Sequence, residues 1–310
     1  MKVFNSIDSF YSSKKTIMTI GTFDGVHIGH QSILKKITSI DTQKELTSVV
    51  LTFFPHPRMV LNQENSIKLL NTIEEKILLL KRFKVENLII HPFDKTFSDL
   101  SPEKFVTEVL IKKLNIQKII IGYDHRFGKN RAANIDDLII FGKKYGFEVE
   151  QLSAEEIDEI AISSTKIRKA ITDGNIKLAN DYLGYPFMLT GKVIHGKKIG
   201  RTIGFPTANI EITENYKLLP KNGVYVVSSI MNNMEYYGMM NIGKNPTIGE
   251  NEQSVEVHFL DINEDLYGKE LQISILEHIR DEKKFNSLSE LQEQLAKDRI
   301  FSLNFIKKQQ

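Results

Sequence analysis

The period of the hydrophobic pattern changes once along the chain, near Tyr182-Leu183-Gly184-Tyr185-Pro186, and that change limits the fold more than any other feature. Before it, strand-like apolar runs occur at Thr16–Gly21, Ser48–Phe53, Asn87–His91, Lys118–Gly122 and Glu148–Leu152. Helical patterns over Gln31–Ile40, Ile73–Phe83, Pro102–Leu114 and Ile135–Tyr145 separate them. Such alternation predicts right-handed βαβ units and a parallel sheet covered on both faces, a Rossmann-like α/β fold. After it come short runs rich in valine, isoleucine and tyrosine: Phe187–His195, Gly223–Ile230, Met234–Ile242, Ser254–Leu260 and Leu271–Ile279. They predict a small antiparallel β-barrel. One helix is expected from Ser164 to about Leu183, stopped by Gly184 and Pro186. A last helix is expected from the capping box Ser287-Leu288-Ser289-Glu290, with Leu288, Leu291, Leu295, Ile300 and Phe301 as a partial apolar face. The expected domains are 1–183 and 187–310.

The 310 residues are enough for each domain to bury its own core. Lysine plus arginine is 41 and aspartate plus glutamate is 39, a net charge of +2 with no basic block, which argues against a nucleic-acid partner. Zero cysteines exclude disulfides and thiolate metal sites and fit a reducing compartment. Met1 to Lys15 lacks the apolar core of a signal peptide, and no apolar run approaches the ~20 residues that cross a bilayer. The expectation is a cytoplasmic protein working on small molecules, with no membrane partner and at most weak homo-oligomerisation.

The most informative stretch is Thr19-Ile20-Gly21-Thr22-Phe23-Asp24-Gly25-Val26-His27-Ile28-Gly29-His30. It reads as the end of a buried strand, a turn carrying Gly21, Gly25 and Gly29, and the start of a helix with Ile33, Leu34 and Ile37 on one face. A strand-to-helix turn in an open parallel sheet is where ligands bind, and free N–H groups at a helix start favour phosphate. Two imidazoles three apart can donate to one anion; they could also be metal ligands. Polar clusters follow other strands: Phe53-Phe54-Pro55-His56-Pro57-Arg58, then Gly122-Tyr123-Asp124-His125-Arg126-Phe127-Gly128. A third is Ile162-Ser163-Ser164-Thr165-Lys166-Ile167-Arg168, where Ser163 or Ser164 caps a helix whose start can also take phosphate.

In that order, G-x-F-D-G-V-H-x-G-H, F-x-P-H-P, G-x-D-x-R-F-G and I-S-S-T-x-I-R resemble the FMN adenylyltransferase half of the bacterial bifunctional riboflavin kinase/FAD synthetase family. The resemblance implies that His27 and His30 hold the ATP phosphates. Gly21, Phe23, Asp24, Gly25, Gly29, Ser164 and Thr165 would belong to the same nucleotide site. It places Asp124, Arg126, Phe127 and Arg168 at the flavin and adenine clefts, and His56 beside the reacting phosphates at the flavin site. Position 125 is His where many relatives carry Phe. FMN's phosphate is already a nucleophile at neutral pH, so this half needs charge stabilisation and no obligatory base.

In the second half, Gly191-Lys192-Val193-Ile194-His195-Gly196-Lys197-Lys198 is close to a P-loop. Lys198 stands where the Mg²⁺-binding hydroxyl belongs and the surroundings are β, so a P-loop is rejected. Gly200-Arg201-Thr202-Ile203-Gly204-Phe205-Pro206-Thr207-Ala208-Asn209 carries more. On an extended segment Thr207 and Asn209 share a face, and their two neutral oxygens suit a hard cation such as Mg²⁺. Glu256 and His258 alternate onto one face of a later strand; a carboxylate there is either paired or functional. With Asn241-Ile242-Gly243-Lys244-Asn245-Pro246-Thr247 and Asp265-Leu266-Tyr267-Gly268, these stretches resemble the riboflavin kinase module of the same family. By that resemblance Thr207 and Asn209 bind Mg²⁺ with ATP, Gly200 and Arg201 contact ATP, Phe205 contacts the flavin, and Glu256 is the base for the ribityl 5′-hydroxyl. Position 245 is Asn where relatives commonly have Arg.

The implied activity is phosphorylation of riboflavin to FMN and adenylylation of FMN to FAD, both from ATP. Two other readings are an adenylyltransferase for another phosphorylated acceptor with a non-catalytic second half, and a flavin-binding protein that is not an enzyme. The P-T-A-N and Glu256 stretches argue against the first.

Overall fold

A computed structural model of the chain describes residues 1–44, 46–61, 67–122, 126–152, 162–196, 199–244, 253–262 and 264–309. Packing divides it into two units, Met1–Ile162 and Ser163–Gln310.

The first unit runs β1 (Lys2–Phe4), β2 (Thr16–Ile20), α1 (Ile28–Lys44), β3 (Thr47–Phe53), α2 (Pro57–Leu61), α3 (Ile73–Arg82) and β4 (Asn87–His91). It continues with α4 (Lys95–Ser98), α5 (Pro102–Lys104) leading into a π-helical stretch (Phe105–Lys113), β5 (Ile116–Ile121), α6 (Ile135–Tyr145) and β6 (Glu148–Gln151). The strands form one six-stranded sheet in the order β1-β4-β3-β2-β5-β6, with parallel pairings. After β2 the chain adds β3 and then β4 on one side, and later β5 and β6 on the other. The strand order therefore reverses at β2, and the turn that leaves it is the topological switch point where such sheets bind ligands. Every residue of β2 is buried, as expected of a parallel strand covered on both faces. Met18, Ile20, Val49, Leu51, Ile119 and Ile121 share one core with Val106, Leu110 and Leu114. The five expected strands are present. β1 was not foreseen: three residues are too few to show a period, and its main chain pairs with β4 at the sheet edge.

The second unit begins with α7 (Ser164–Thr172) and α8 (Ile176–Leu183). The single helix expected over this stretch is broken. Gly174 takes φ 83°, and the Asn175 side chain caps a new helix by accepting the Leu178 N–H. Gly184, left-handed at φ 72°, ends α8 as foreseen. The hairpin is tied to the strands that follow. Asn180 donates to the Ile275 carbonyl at 2.9 Å and accepts the Phe187 N–H at 2.7 Å.

β7 (Phe187–Ile194), α9 (Ile199–Thr202), β8 (Ala208–Glu211), β9 (Gly223–Met231), β10 (Met234–Lys244), β11 (Gln253–Phe259) and β12 (Glu270–Asp281) follow, then α10 (Leu288–Gln309). The strands close into an antiparallel barrel, β10-β11-β8-β7-β12-β9. β8 was expected only as an extended segment, and α9 was not foreseen.

The start of α10 is capped as expected. Ser287 Oγ accepts the Glu290 N–H, although the Glu290 carboxylate bonds the N–H of Asn286 rather than that of Ser287. Its expected apolar face is corrected: Leu288, Ile300 and Phe301 are exposed and Leu291 and Leu295 only half-buried. The buried row is Asp298, Ser302 and Ile306, four apart. Arg280 of β12 makes a charge-assisted pair with Asp298 through Nε and Nη2, the latter at 2.8 Å. A part-buried ion pair, invisible to a hydrophobic period, orients this helix.

Candidate functional site

The first unit presents the histidine turn at the switch point. His30 stands in the first turn of α1 and His27 just before it. Their rings stack at 3.7 Å between centroids and 21°, and Phe23 lies against His30 at 4.9 Å. His27 is buried and His30 half-buried. His30 Nδ1 is enclosed with no hydrogen-bond partner among the described residues. Burial first, then the adjacent His27, then Lys76, hold the His30 pKa well below the ordinary imidazole value.

The turn is strained: Phe23, Gly25 and Val26 take φ of 47°, 87° and 36°. Only glycine adopts that region without cost. Three bonds restrain the conformation. The Thr22 carbonyl accepts from Thr52 Oγ1 at 3.0 Å and from Lys76 Nζ at 2.7 Å, and Asp24 Oδ1 accepts the Leu70 N–H at 2.9 Å. Asp24 is thus buried inside the turn, Phe23 backs His30, and Gly21 N–H bonds the Leu51 carbonyl. Gly25 and Gly29 are buried beside the imidazoles.

Among the other residues expected near this site, His56 is buried after β3, with Nδ1 accepting the Arg58 N–H at 3.1 Å. Arg126 is exposed. Phe127 sits in the core against Phe105, its backbone bridged to Ala133, so its ring anchors the loop that presents Arg126. Asp124 and His125 lie outside the described residues. Ser164, Thr165 and Arg168 stand on α7 of the second unit, capped by Ser163, whose Oγ accepts the Lys166 N–H.

In the barrel, strand register gathers residues far apart in sequence. Asn209 of β8 pairs with Glu256 of β11, and Glu256 pairs with Asn241 of β10, giving a carboxamide–carboxylate–carboxamide row. These three are half-buried, whereas Val255, Val257 and Phe259 fill the opposite face of β11. Thr207 Oγ1 donates to Glu256 Oε2 at 3.2 Å. A hydroxyl has two lone pairs besides its hydrogen, so this bond leaves Thr207 able to serve a cation. Gly196 lies over the Asn209 amide: a Cβ there would come within 2.1 Å of Nδ2. The segment before Thr207 is pinned to the same strand. His258 Nδ1 donates to the Pro206 carbonyl at 2.8 Å, and Phe205 packs edge-on to the His258 ring at 5.2 Å. Gly200 closes this loop, with its carbonyl accepting the Phe205 N–H and no room for a Cβ. Arg201 is exposed beside it, and Asn245 is outside the described residues. No group of three or more His, Cys, Asp or Glu that could hold a metal occurs among the described residues. A cation here would rely on neutral oxygens and its substrate's phosphates.

Sequence reasoning missed three residues. Lys76 carries a charge on the stripe that includes Leu79 and Leu80, which was the available signal. Asn241 begins a quoted motif, but only β-pairing puts it beside Glu256. Gly196 lay in the rejected P-loop stretch, and nothing local marks its approach to Asn209.

The chain matches two family models end to end, FAD synthetase over residues 10–166 and riboflavin kinase over residues 183–306. It is 40% identical over 303 residues to a bifunctional riboflavin kinase/FMN adenylyltransferase of Buchnera aphidicola subsp. Schizaphis graminum, covering 96% of both chains. A protein of the same name from Listeria monocytogenes is 41% identical over 284 residues, covering 91% of this chain and 90% of that one. A solved Streptococcus pneumoniae structure, described as a macrolide-efflux protein, superposes with a TM-score of 0.87 at 32% identity over 98% of each chain.

Proposed function

The chain belongs to the bifunctional riboflavin kinase/FMN adenylyltransferase family, and from that premise we propose how its residues divide the two reactions. It is an enzyme that phosphorylates riboflavin to FMN and joins FMN to AMP from ATP, giving FAD and pyrophosphate. The name of the S. pneumoniae protein points to drug export, whereas both family models and the more similar relatives agree on flavin chemistry.

In adenylyl transfer the FMN phosphate attacks the α-phosphate of ATP. His27 and His30 donate to the phosphates as charge grows on the departing pyrophosphate, helped by N–H groups at the start of α1. His30 enters neutral, its pKa held down chiefly by burial. His56 and Arg126 serve the FMN end. Ser164, Thr165 and Arg168, together with Asp124, enter the proposal on the sequence resemblance.

In phosphoryl transfer Glu256 accepts the proton of the ribityl 5′-hydroxyl as that oxygen attacks the γ-phosphate. Thr207 orients the carboxylate, and Asn241 and Asn209 flank it. Thr207 and Asn209 would hold Mg²⁺ bound with ATP, where it would neutralise charge on the transferred group. Gly200 and Arg201 lie toward ATP and Phe205 toward the flavin. The observation that carries this assignment is the convergence of Thr207, Asn209 and Glu256, joined by register and one hydrogen bond.

The functional boundary we propose stays at 1–183 and 187–310, in a cytoplasmic enzyme that self-associates weakly at most. Incubating the chain with riboflavin, ATP and Mg²⁺ and resolving the flavins tests the reading. FMN followed by FAD is expected. FAD formed only from added FMN would leave a lone adenylyltransferase, and unchanged riboflavin would leave a binding protein.

A further inference from the structure

The first unit contains a buried cation that the two reactions as described do not use. Lys76 of α3 is 3% exposed. Lysine is rarely buried so completely, because its charge loses water that a single hydrogen bond does not replace. A methionine would fill the same space without that penalty, so stability alone does not ask for a lysine here.

The groups around it belong to the histidine turn. Its Nζ donates to the Thr22 carbonyl at 2.7 Å, across 54 positions of sequence. Thr22 is the residue just before the run of positive φ at Phe23, Gly25 and Val26. The same carbonyl takes the Thr52 hydroxyl from β3, so the exit from β2 is held from two elements. The Asp24 carboxylate favours the Lys76 charge and ties the turn to Leu70, just ahead of α3. The neighbouring Glu75 carboxylate accepts the Thr72 N–H and closes the cap of α3. Burial pushes the Lys76 pKa down to about 8, against the pull of Asp24, so the ammonium form still prevails near neutrality. That charge is one of the causes, with burial and His27, that keep His30 neutral.

We propose that Lys76 is a positioning residue for adenylyl transfer: it holds the Thr22 carbonyl so that the strained turn presents His27 and His30 to the phosphates. The proposal rests on the reading that the two imidazoles grip the triphosphate. Lys76 touches no reacting atom itself. A misplacement of the imidazoles by even 1 Å is enough to cost about 10²-fold in rate.

The test uses Lys76→Met in the full chain, with Lys76→Arg and His30→Ala beside it. Expected for Lys76→Met is a fall of about 10- to 100-fold in kcat for FMN adenylylation, little change in the KM for ATP, and unchanged riboflavin phosphorylation. His30, followed by imidazole NMR and assigned with His30→Ala, should titrate at higher pH in Lys76→Met than in the parent. Lys76→Arg, which keeps the charge and a donor, should recover much of the rate. A parental kcat or a loss carried by KM overturns the proposal. If His30→Ala also adenylylates FMN normally, the histidine reading falls instead. If Lys76→Met does not fold, Thr52→Val removes the other donor to Thr22: a several-fold fall in kcat supports the proposal, and an unchanged kcat overturns it.

Discussion

The histidine turn and the barrel cluster, the two sites proposed for nucleotide chemistry, are built in opposite ways. In the turn, the two imidazoles are three residues apart, and backbone strain and a buried lysine shape one short segment. In the barrel, Thr207 and Glu256 are 49 residues apart and no strained run is needed, because strand pairing sets their distance. The chemistry explains the contrast. On the proposed reading the adenylyl acceptor is already an anion, which asks for N–H groups, imidazoles and a cation rather than a base. On the same reading the kinase acceptor is an alcohol, which asks for a carboxylate in register with oxygens able to hold a cation.

Glu256→Gln probes the difference most strongly. Riboflavin phosphorylation should fall about 10²- to 10⁴-fold while FMN is still adenylylated, as flavin chromatography would show. Comparable loss of both activities would break the division of labour. His30→Ala is expected to do the reverse, lowering FAD formation about 10²- to 10³-fold with riboflavin kinase activity retained; steady-state assays of each half reaction decide it. A smaller effect sharpens the register argument. Gly196→Ala should push the Asn209 amide aside and cost the kinase roughly tenfold, with adenylylation and melting temperature little changed. Full kinase activity in that variant would remove Asn209 from the site.

The smallest effect is on stability. The folded-state pKa of His30 lies below its unfolded value, so the unfolded chain binds the proton first as pH falls. Stability tied to His30 is therefore complete above the ordinary imidazole pKa and declines as pH drops below it. Urea unfolding of His30→Asn should show a shallower loss on the acid side than the parent chain; equal slopes would mean that His30 is not held neutral.

How much could be read in advance follows the same contrast. The strand before Gly21, the turn and the helix after it are local, and their residues lie where spacing put them. Lys76 escaped notice because its partner, the Thr22 carbonyl, leaves no mark in the side-chain pattern. The break at Gly174 lies in Asp173-Gly174-Asn175, where a left-handed glycine and an asparagine cap interrupt the helix. On α10 the hydrophobic period misled, since Leu288, Ile300 and Phe301 face outward while Asp298 docks on Arg280. Phe127, placed at the flavin site by motif resemblance, packs its ring in the core, a contact that the motif alone does not show.

By itself the sequence determined the two element periods, the strand–turn–helix around the histidines and the identity of the oxygen-bearing residues, because each depends on neighbours within a few positions. Tertiary structure alone decided that Asn241, Glu256 and Asn209 form one row, that Gly196 leaves room for an amide, and that a lysine from α3 braces the turn after β2. Those contacts join segments whose register is set only when the sheet is paired and the barrel closes, and no local period carries that information.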